Sequence, residues 1–394
     1  MTRVIMVSGK GGVGKTTAAA ATGLAASAKG KRTMVMSFDL AHSLSDSFGL
    51  EDSVVSSHLN RIIPINDYLH IREINVQDEI DRDWSDLYRF FADLLIGGGL
   101  TDVAAEEVAV LPGSEDIVAL IILNTYIQEN AYDVIVIDCP PTGESLRFAG
   151  MASTLRWYVR KRMKTDRKLV KLVKPVTDLL GQSDNLKFPD EPHFQAIAKL
   201  YDRLEGVEEL LQDPTRTSVR LVTAPEKMVM RETRRAYMYF GMYAMTVDMV
   251  IINRLMPQNE AYFQQWAIKQ RQYAQQIEED FAPLPVVRVP MFQGEIVGET
   301  RLLEYARVLY PEGDPTNGFA NAPSHTFSKT GETYTLTLNL PFVSKEQLKI
   351  HRSGEDLIIR IGVFKRNILL PRAIIPLTTK SAKINENKLL VTFG

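Results

Sequence analysis

The sequence predicts an α/β fold: a doubly wound, mostly parallel sheet with an inserted helical subdomain, followed by a small all-β sandwich. Three observations predict it. Short apolar runs of strand length end in a carboxylate or a glycine-rich loop, the pattern of strands buried on both faces of a parallel sheet. Between them, apolar residues recur at steps of three and four, the period of helices. Beyond a Pro- and Gly-containing stretch at 311–318 the period drops to two, as in strands with one covered face.

Length and composition bound the reading. A chain of 394 residues points to two or three domains. A net charge of −2 gives no reason to expect nucleic acid as a partner. No apolar run reaches the ~18 residues of a membrane span. Met1-Thr2-Arg3 enters the first strand at once, without a signal or transit peptide, so a cytoplasmic location is expected. The one cysteine, Cys139, excludes an internal disulfide and a CxxC zinc site.

The first apolar run, Val4-Ile5-Met6-Val7, leads into Ser8-Gly9-Lys10-Gly11-Gly12-Val13-Gly14-Lys15-Thr16-Thr17 and an Ala-rich helix over about 16–29. This fits Gly-x-x-x-x-Gly-Lys-Thr, a phosphate-binding P-loop, in the strand–loop–helix context the motif requires. Gly9, Gly11, Gly12 and Gly14 let the backbone curl so that its N–H groups, Val13 included, point at phosphate oxygens. The helix N-terminus at Thr16-Thr17 adds its positive dipole end. Lys15 is expected on the β- and γ-phosphates and the Thr16 hydroxyl on Mg²⁺. A nucleoside triphosphate and Mg²⁺ are therefore the expected ligands, and the sheet is expected to be of P-loop NTPase type. Tyr132 to Asp138 reads as a buried strand with a terminal aspartate, and an acidic group there can hold Mg²⁺ through its water shell. Thr33 to Asp39 likewise ends in a carboxylate, at the strand end where doubly wound folds place ligand-binding groups.

Lys10, early in the loop, is not needed by an ordinary P-loop. Lys-Gly-Gly-Val-Gly-Lys-Thr-Thr over 10–17 resembles the signature-lysine branch of P-loop ATPases. That branch includes the arsenite-pump ATPase, the tail-anchored-protein targeting ATPase, the Min and Par partition ATPases and the nitrogenase iron protein. There the early lysine reaches across a nucleotide-sandwich dimer, so the resemblance implies a homodimer and a catalytic role in trans for Lys10. Asp39-Leu40-Ala41-His42-Ser43-Leu44-Ser45-Asp46 is similar to the first switch of the targeting and arsenite ATPases, with Leu40 where they have proline. The resemblance implies that Asp39 orients or deprotonates the attacking water and joins Thr16 and Asp138 near the metal. His42 reads as a local structural hydrogen-bonding group. Cys139-Pro140-Pro141-Thr142-Gly143-Glu144 is similar to the second switch, with Glu144 where histidine is usual and given no role. At the end of the strand Val247–Ile252, the resemblance implies adenine recognition by Asn253; Pro290 is expected near the base. It covers about Arg3 to Tyr310.

The remaining stretches are read for organisation. Trp84, Leu87, Tyr88, Phe91 and Leu95 form a helical stripe, and another apolar helix runs through Leu123. Arg156 to Lys174 is strongly basic: either a solvated helix face or a contact for an anionic membrane or acidic partner. A helix is expected from Phe194 to about Leu211. Met228, Met230, Met238, Met242 and Met245 serve either as core filler or, with the helices of 84–123, as an adaptable groove for a hydrophobic helical client.

Beyond the linker, Tyr334, Leu336, Leu338 and Leu340 alternate with polar residues. Strands are expected at 348–352, 356–361, 364–370, 381–385 and 388–393, with turns at Ser353-Gly354 and Asn385-Glu386-Asn387: a small antiparallel sandwich. It resembles the α-crystallin domain of small heat-shock proteins. The expected organisation is an ATPase domain over 1–312, with helical insertions at about 76–130 and 151–212, a linker over 313–324, and the sandwich over 325–394. The chain is identified as a member of the prokaryotic and plastid branch of the tail-anchored-protein targeting ATPases, without the CxxC clamp. The function this implies is a homodimeric Mg²⁺-dependent ATPase that opens and closes a surface for hydrophobic clients. A Min- or Par-like positioning ATPase, or an ATPase regulating the β domain, are the alternatives. Arsenite transport is disfavoured, because a metalloid needs several soft thiolates and the chain has one cysteine.

Overall fold

The computed structural model describes residues 1–38, 43–50, 60–75, 114–143, 201–257, 261–311, 313–320 and 325–394, with isolated positions between 145 and 199. The N-terminal part is built on an eight-stranded sheet. In chain order its strands are β1 (Arg3–Gly9), β2 (Thr33–Ser37), β3 (Ile63–Asn66), β4 (Leu69–Glu73), β5 (Val134–Asp138), β6 (Thr217–Thr223), β7 (Val247–Leu255) and β8 (Val286–Pro290). The spatial order is β3-β4-β2-β5-β1-β6-β7-β8. β3 pairs antiparallel with β4, and the other pairs are parallel.

The apolar composition of β1 follows from this position. Successive strand residues point to opposite faces, and both faces of this sheet are covered. Val4 and Met6 enter one core; Ile5 and Val7 enter the other. The second core includes α1 (Lys15–Ser27), whose Ala18 to Ala21 are fully buried. The described helices that follow are α2 (Leu44–Ser47), α3 (Ser114–Gln128), α4 (Val207–Gln212), α5 (Lys227–Met242), α6 (Gln264–Phe281) and α7 (Glu299–Leu309). The helix expected to run on to Leu211 is interrupted. Residues 204–206 form a turn, Gly206 takes a left-handed φ of 83°, and α4 starts afresh after it. Among the described residues no helix is long and apolar enough to cross a membrane.

The C-terminal part is all β. β9 (His325–Thr330), β10 (Thr333–Asn339), β14 (Thr379–Asn385) and β15 (Lys388–Phe393) form one antiparallel sheet; β11 (Leu348–Ser353), β12 (Asp356–Ile361) and β13 (Phe364–Leu369) form another. Alternate residues of both sheets, such as Leu336, Leu338, Ile359, Val391 and Phe393, meet in one core.

That core is closed by α5. Met238 and Met242 are buried in it, the Arg366 guanidinium donates to the Met242 carbonyl at 2.6 Å, and the Tyr239 and Phe364 rings lie 4.1 Å apart. This corrects the groove expectation for the methionine stretch. Met230 and Met245 are also buried, and of the five only Met228 is exposed. An apolar helix face beside an uncovered sandwich end is occupied by that sandwich before any client reaches it.

The stretch read as a linker is also held. Arg220 of β6, fully buried, donates to the Tyr310 hydroxyl at 2.7 Å and to the Pro315 and Asn317 carbonyls at 2.6 and 3.3 Å. Its guanidinium lies over the rings of Tyr310 and Phe319 and 3.5 Å from the Asp248 carboxylate. Arg3 adds a bond to the Thr316 carbonyl at 3.1 Å.

His325, at the start of β9, is pushed down to about 4 by burial and by the charge of Arg366. The unfolded chain therefore takes up this proton more readily than the folded one. Stability is expected to fall as pH drops from about 6.5 towards 4, and to be unaffected by this group above that window. Melting temperatures measured across pH for the wild type and His325→Gln check this. The variant should lose the part of the acid sensitivity that the two proteins do not share; identical pH profiles would contradict it.

Candidate functional site

The site lies at the carboxyl ends of β1, β2 and β5, where the chain switches from building one side of the sheet to building the other. The loop Lys10 to Gly14 leaves β1 and enters α1 at the buried Lys15. Gly12 and Gly14 take φ of 79° and 96°, a region open to glycine at no steric cost. At Gly14 a side chain is also excluded by space, since its Cβ would collide with the Asn253 amide nitrogen. At Gly11 and Gly12 a Cβ would meet nothing within 4 Å, and both residues are exposed.

The outer side of the loop is clamped. Asn253 Nδ2 donates to the Val13 carbonyl at 2.8 Å, and the Arg254 guanidinium donates to the Gly12 carbonyl at 2.8 Å. These two bonds fix the loop backbone, and successive N–H groups of such a glycine-rich turn can form an anion-binding nest. Arg254 itself sits at a φ of 60°, unusual for a non-glycine residue. Asn253 was expected at adenine; its amide is buried against the loop and also accepts from the Arg254 N–H at 3.0 Å. Pro290 is exposed at the end of β8, register partner to Leu255 two residues beyond Asn253.

Asp138 ends β5 and is the register partner of both Val7 and Ser37. Its carboxylate accepts from the Thr16 hydroxyl at 2.8 Å and from the Ser37 hydroxyl at 3.2 Å. Ser43 Oγ stands 3.3 Å from Thr16 Oγ1. Hydroxyl and carboxylate oxygens around one point are the donor set of a hard divalent cation, so these residues fit Mg²⁺. Among the described residues no cluster of three His, Cys, Asp or Glu side chains forms a metal site of another kind. Cys139, next in the chain, is buried, and burial with the adjacent Asp138 charge pushes its thiol up, which keeps it protonated and unreactive.

Glu73, at the end of β4, gave no signal as a site residue. It is buried, and its carboxylate accepts from the N–H groups of Leu44 and Ser45 at 2.8 and 3.0 Å and from the Ser45 hydroxyl at 2.9 Å. It thereby pins the segment that follows Asp39. Lys10 is half-buried at the start of the loop, and Thr17 is half-buried in the first turn of α1. Asp39 to His42, Glu144, residues 76–113 and the basic run 156–174 lie outside the described residues.

A mostly parallel sheet, a glycine loop with a buried lysine running into a helix, and a carboxylate on the neighbouring strand beside the helix's first hydroxyl define a P-loop NTPase fold. The comparison with known families is more specific. The model of the anion-transporting ATPases (ArsA ATPase) matches residues 2–311, and the chain belongs to that family. An HSP20-like domain found in ArsA matches residues 331–393. Over 395 residues the chain is 38% identical to "Putative arsenical pump-driving ATPase 1" of Aquifex aeolicus (strain VF5), covering 99% of each chain. It is 33% identical to "Putative arsenical pump-driving ATPase" of Chlorobaculum tepidum, covering 99% of this chain and 96% of the relative. It is 27% identical to "ATPase GET3" of Lachancea thermotolerans, over 79% of this chain and 90% of the relative. The protein is thus an ATP-hydrolysing member of the ArsA/GET3 family with an HSP20-like domain.

Proposed function

We propose that this ATPase is Mg²⁺-dependent and homodimeric, and that its nucleotide state opens and closes a surface for hydrophobic helical clients in the cytoplasm. The observation that carries the metal part is the 2.8 Å contact between Thr16 Oγ1 and Asp138 Oδ2 at the mouth of the P-loop. Thr16 and Asp138 would hold the cation, with Asp39 near it; when bound, it would neutralise charge between the β- and γ-phosphates. Lys15 and the amides of residues 9–17 bind phosphate. Asp39 orients the attacking water, and Lys10 reaches the phosphates of the other subunit. Asn253 and Pro290 frame the adenine, Asn253 with the hydrogen-bonding capacity its amide keeps beyond the loop contact.

The arsenical relatives raise a second substrate, but a soft metalloid needs thiolates, and the one cysteine of this chain is buried. For the same reason the dimer does not rest on zinc. With Met238 and Met242 inside the sandwich interface, the client surface in this reading falls to the stretch around 84–123 that the sequence reads as helical.

Two measurements test the proposal. ATP titrations of Thr16→Ala should show affinity weakened at least ~10-fold with Mg²⁺ and little changed in chelator; an equal loss in both would remove Thr16 from the metal. Light scattering in chelator should still show a dimer, and a monomer there would sink the zinc-free assembly.

A further inference from the structure

The three-stranded sheet of the C-terminal domain carries a row of like charges. Lys349 on β11 is the register partner of Arg360 on β12, and Arg360 is the register partner of Lys365 on β13. Register partners share a face, and all three side chains are exposed. Like charges directly opposite one another destabilise a sheet. Arg235 of α5 faces the same place from across the domain seam. Between α5 and the sheet lies a cleft of about 440 Å³, with Arg235, Lys349 and Arg360 on its walls and Met238, Tyr239 and Ile361 among its apolar lining.

None of the lining residues is acidic. Arg234, the fourth cation there, is taken up by Asp280 of α6. Arg235, Lys349 and Arg360 have no ion-pair partner among the described residues. The carboxylate of nearby Glu346 is held by Ser344 within its own turn, which lowers its pKa. Lys349 and Arg360 are thus gathered at a cost in stability, and among the described residues nothing neutralises them or Arg235.

We propose that this cleft binds an acidic segment of a partner polypeptide, with carboxylates on Arg235, Lys349 and Arg360 and an intervening apolar side chain on Tyr239 and Phe342. The placement of the cations selects the occupant. They stand on two walls, Arg235 on α5 and Lys349 and Arg360 on the sheet, with apolar side chains between them. An extended peptide turns successive side chains to opposite sides, so carboxylates can face Lys349 and Arg360 while the intervening apolar side chain faces α5. The cleft is on the HSP20-like side of the molecule and uses none of the nucleotide-site residues.

Fluorescence anisotropy on the full chain tests this, with a short labelled peptide in which Glu alternates with Leu and Phe. The peptide is expected to bind, more weakly as salt is raised. Its counterpart with Gln in place of Glu should bind at least ~10-fold more weakly, as should the Glu peptide to Lys349→Glu or Arg360→Glu. Arg360→Gln relieves the cross-strand repulsion and should hold or raise the melting temperature, while ATP turnover stays at the wild-type rate. Equal binding of the Glu and Gln peptides, or indifference to both charge reversals, would overturn the proposal. Displacement of the peptide by tripolyphosphate at similar concentration would overturn it in favour of a general polyanion site. A lowered melting temperature in Arg360→Gln would make the row structural and overturn the argument from repulsion.

Discussion

Asp39→Asn is expected to bind ATP almost as the wild type does and to hydrolyse it at least ~100-fold more slowly. The separation follows from where the binding energy resides. In the proposed mechanism phosphate binding draws on the loop amides, Lys15 and the α1 N-terminus, whereas Asp39 acts on the attacking water, which must be oriented and relieved of a proton as it reaches the phosphorus. Asparagine keeps the size and some hydrogen bonding of aspartate but cannot take a proton at neutral pH. Glu73 keeps its hold on Leu44 and Ser45 in the variant, so the segment after residue 39 retains its anchor. Single-turnover hydrolysis, set beside nucleotide titration, separates the two effects. Turnover near the wild-type rate would remove Asp39 from the chemistry; a matching loss of ATP affinity would make it a binding residue.

Arg220→Met is expected to cost roughly 3–5 kcal/mol of stability, the range for breaking a buried ion pair by removing one partner. Methionine fills most of the volume, so packing is not the issue. It cannot donate to the Tyr310 hydroxyl or to the Pro315 and Asn317 carbonyls, and each buried group left unpaired costs about 1–3 kcal/mol. Asp248 keeps Ser218 at 2.8 Å and Arg3 at 3.4 Å but loses its second counterion, Arg220 at 3.5 Å, in the same pocket. Arg3 is itself lowered to about 10 by burial, with Asp248 opposing that shift, so it is a costly replacement for the missing charge. Urea unfolding gives the loss, and limited proteolysis over 313–324 should become faster in the variant. A change under ~1 kcal/mol with unaltered cleavage would show that the segment does not depend on Arg220.

Local residue patterns carried much of this protein. The P-loop was legible because its glycines, lysine and threonine act through backbone geometry over ten consecutive residues. The sandwich strands were legible because alternation of period two has one structural solution when one face is buried; the strands expected at 356–361 and 388–393 occur as Asp356–Ile361 and Lys388–Phe393. Other elements were not. The hairpin β3–β4 is short and half polar on its outer strand, so its run does not stand out from a loop. Glu73 reads as any surface glutamate until β4 is placed beside β2 and its carboxylate meets the Leu44 and Ser45 amides. Arg254 is adjacent to an identified residue, yet its role exists only because β7 ends against the loop after β1.

What the sequence by itself determined is what neighbours along the chain build: the glycine loop and helix start of residues 9–17, the strand-end carboxylate at Asp138, the single cysteine, and the change of period that marks the second domain. What only the tertiary structure decided is which surfaces remain free. The methionines of α5 have the composition of a client groove, but the sandwich docks there and buries Met238 and Met242. The stretch after Pro311 has the composition of a linker, but Arg220 and Arg3 bind its carbonyls. The physical reason is that burial and pairing are properties of two surfaces at once. A side chain's polarity is local, whereas the partner that covers or satisfies it stands some ninety or more residues away in the chain and is brought to it only by the fold.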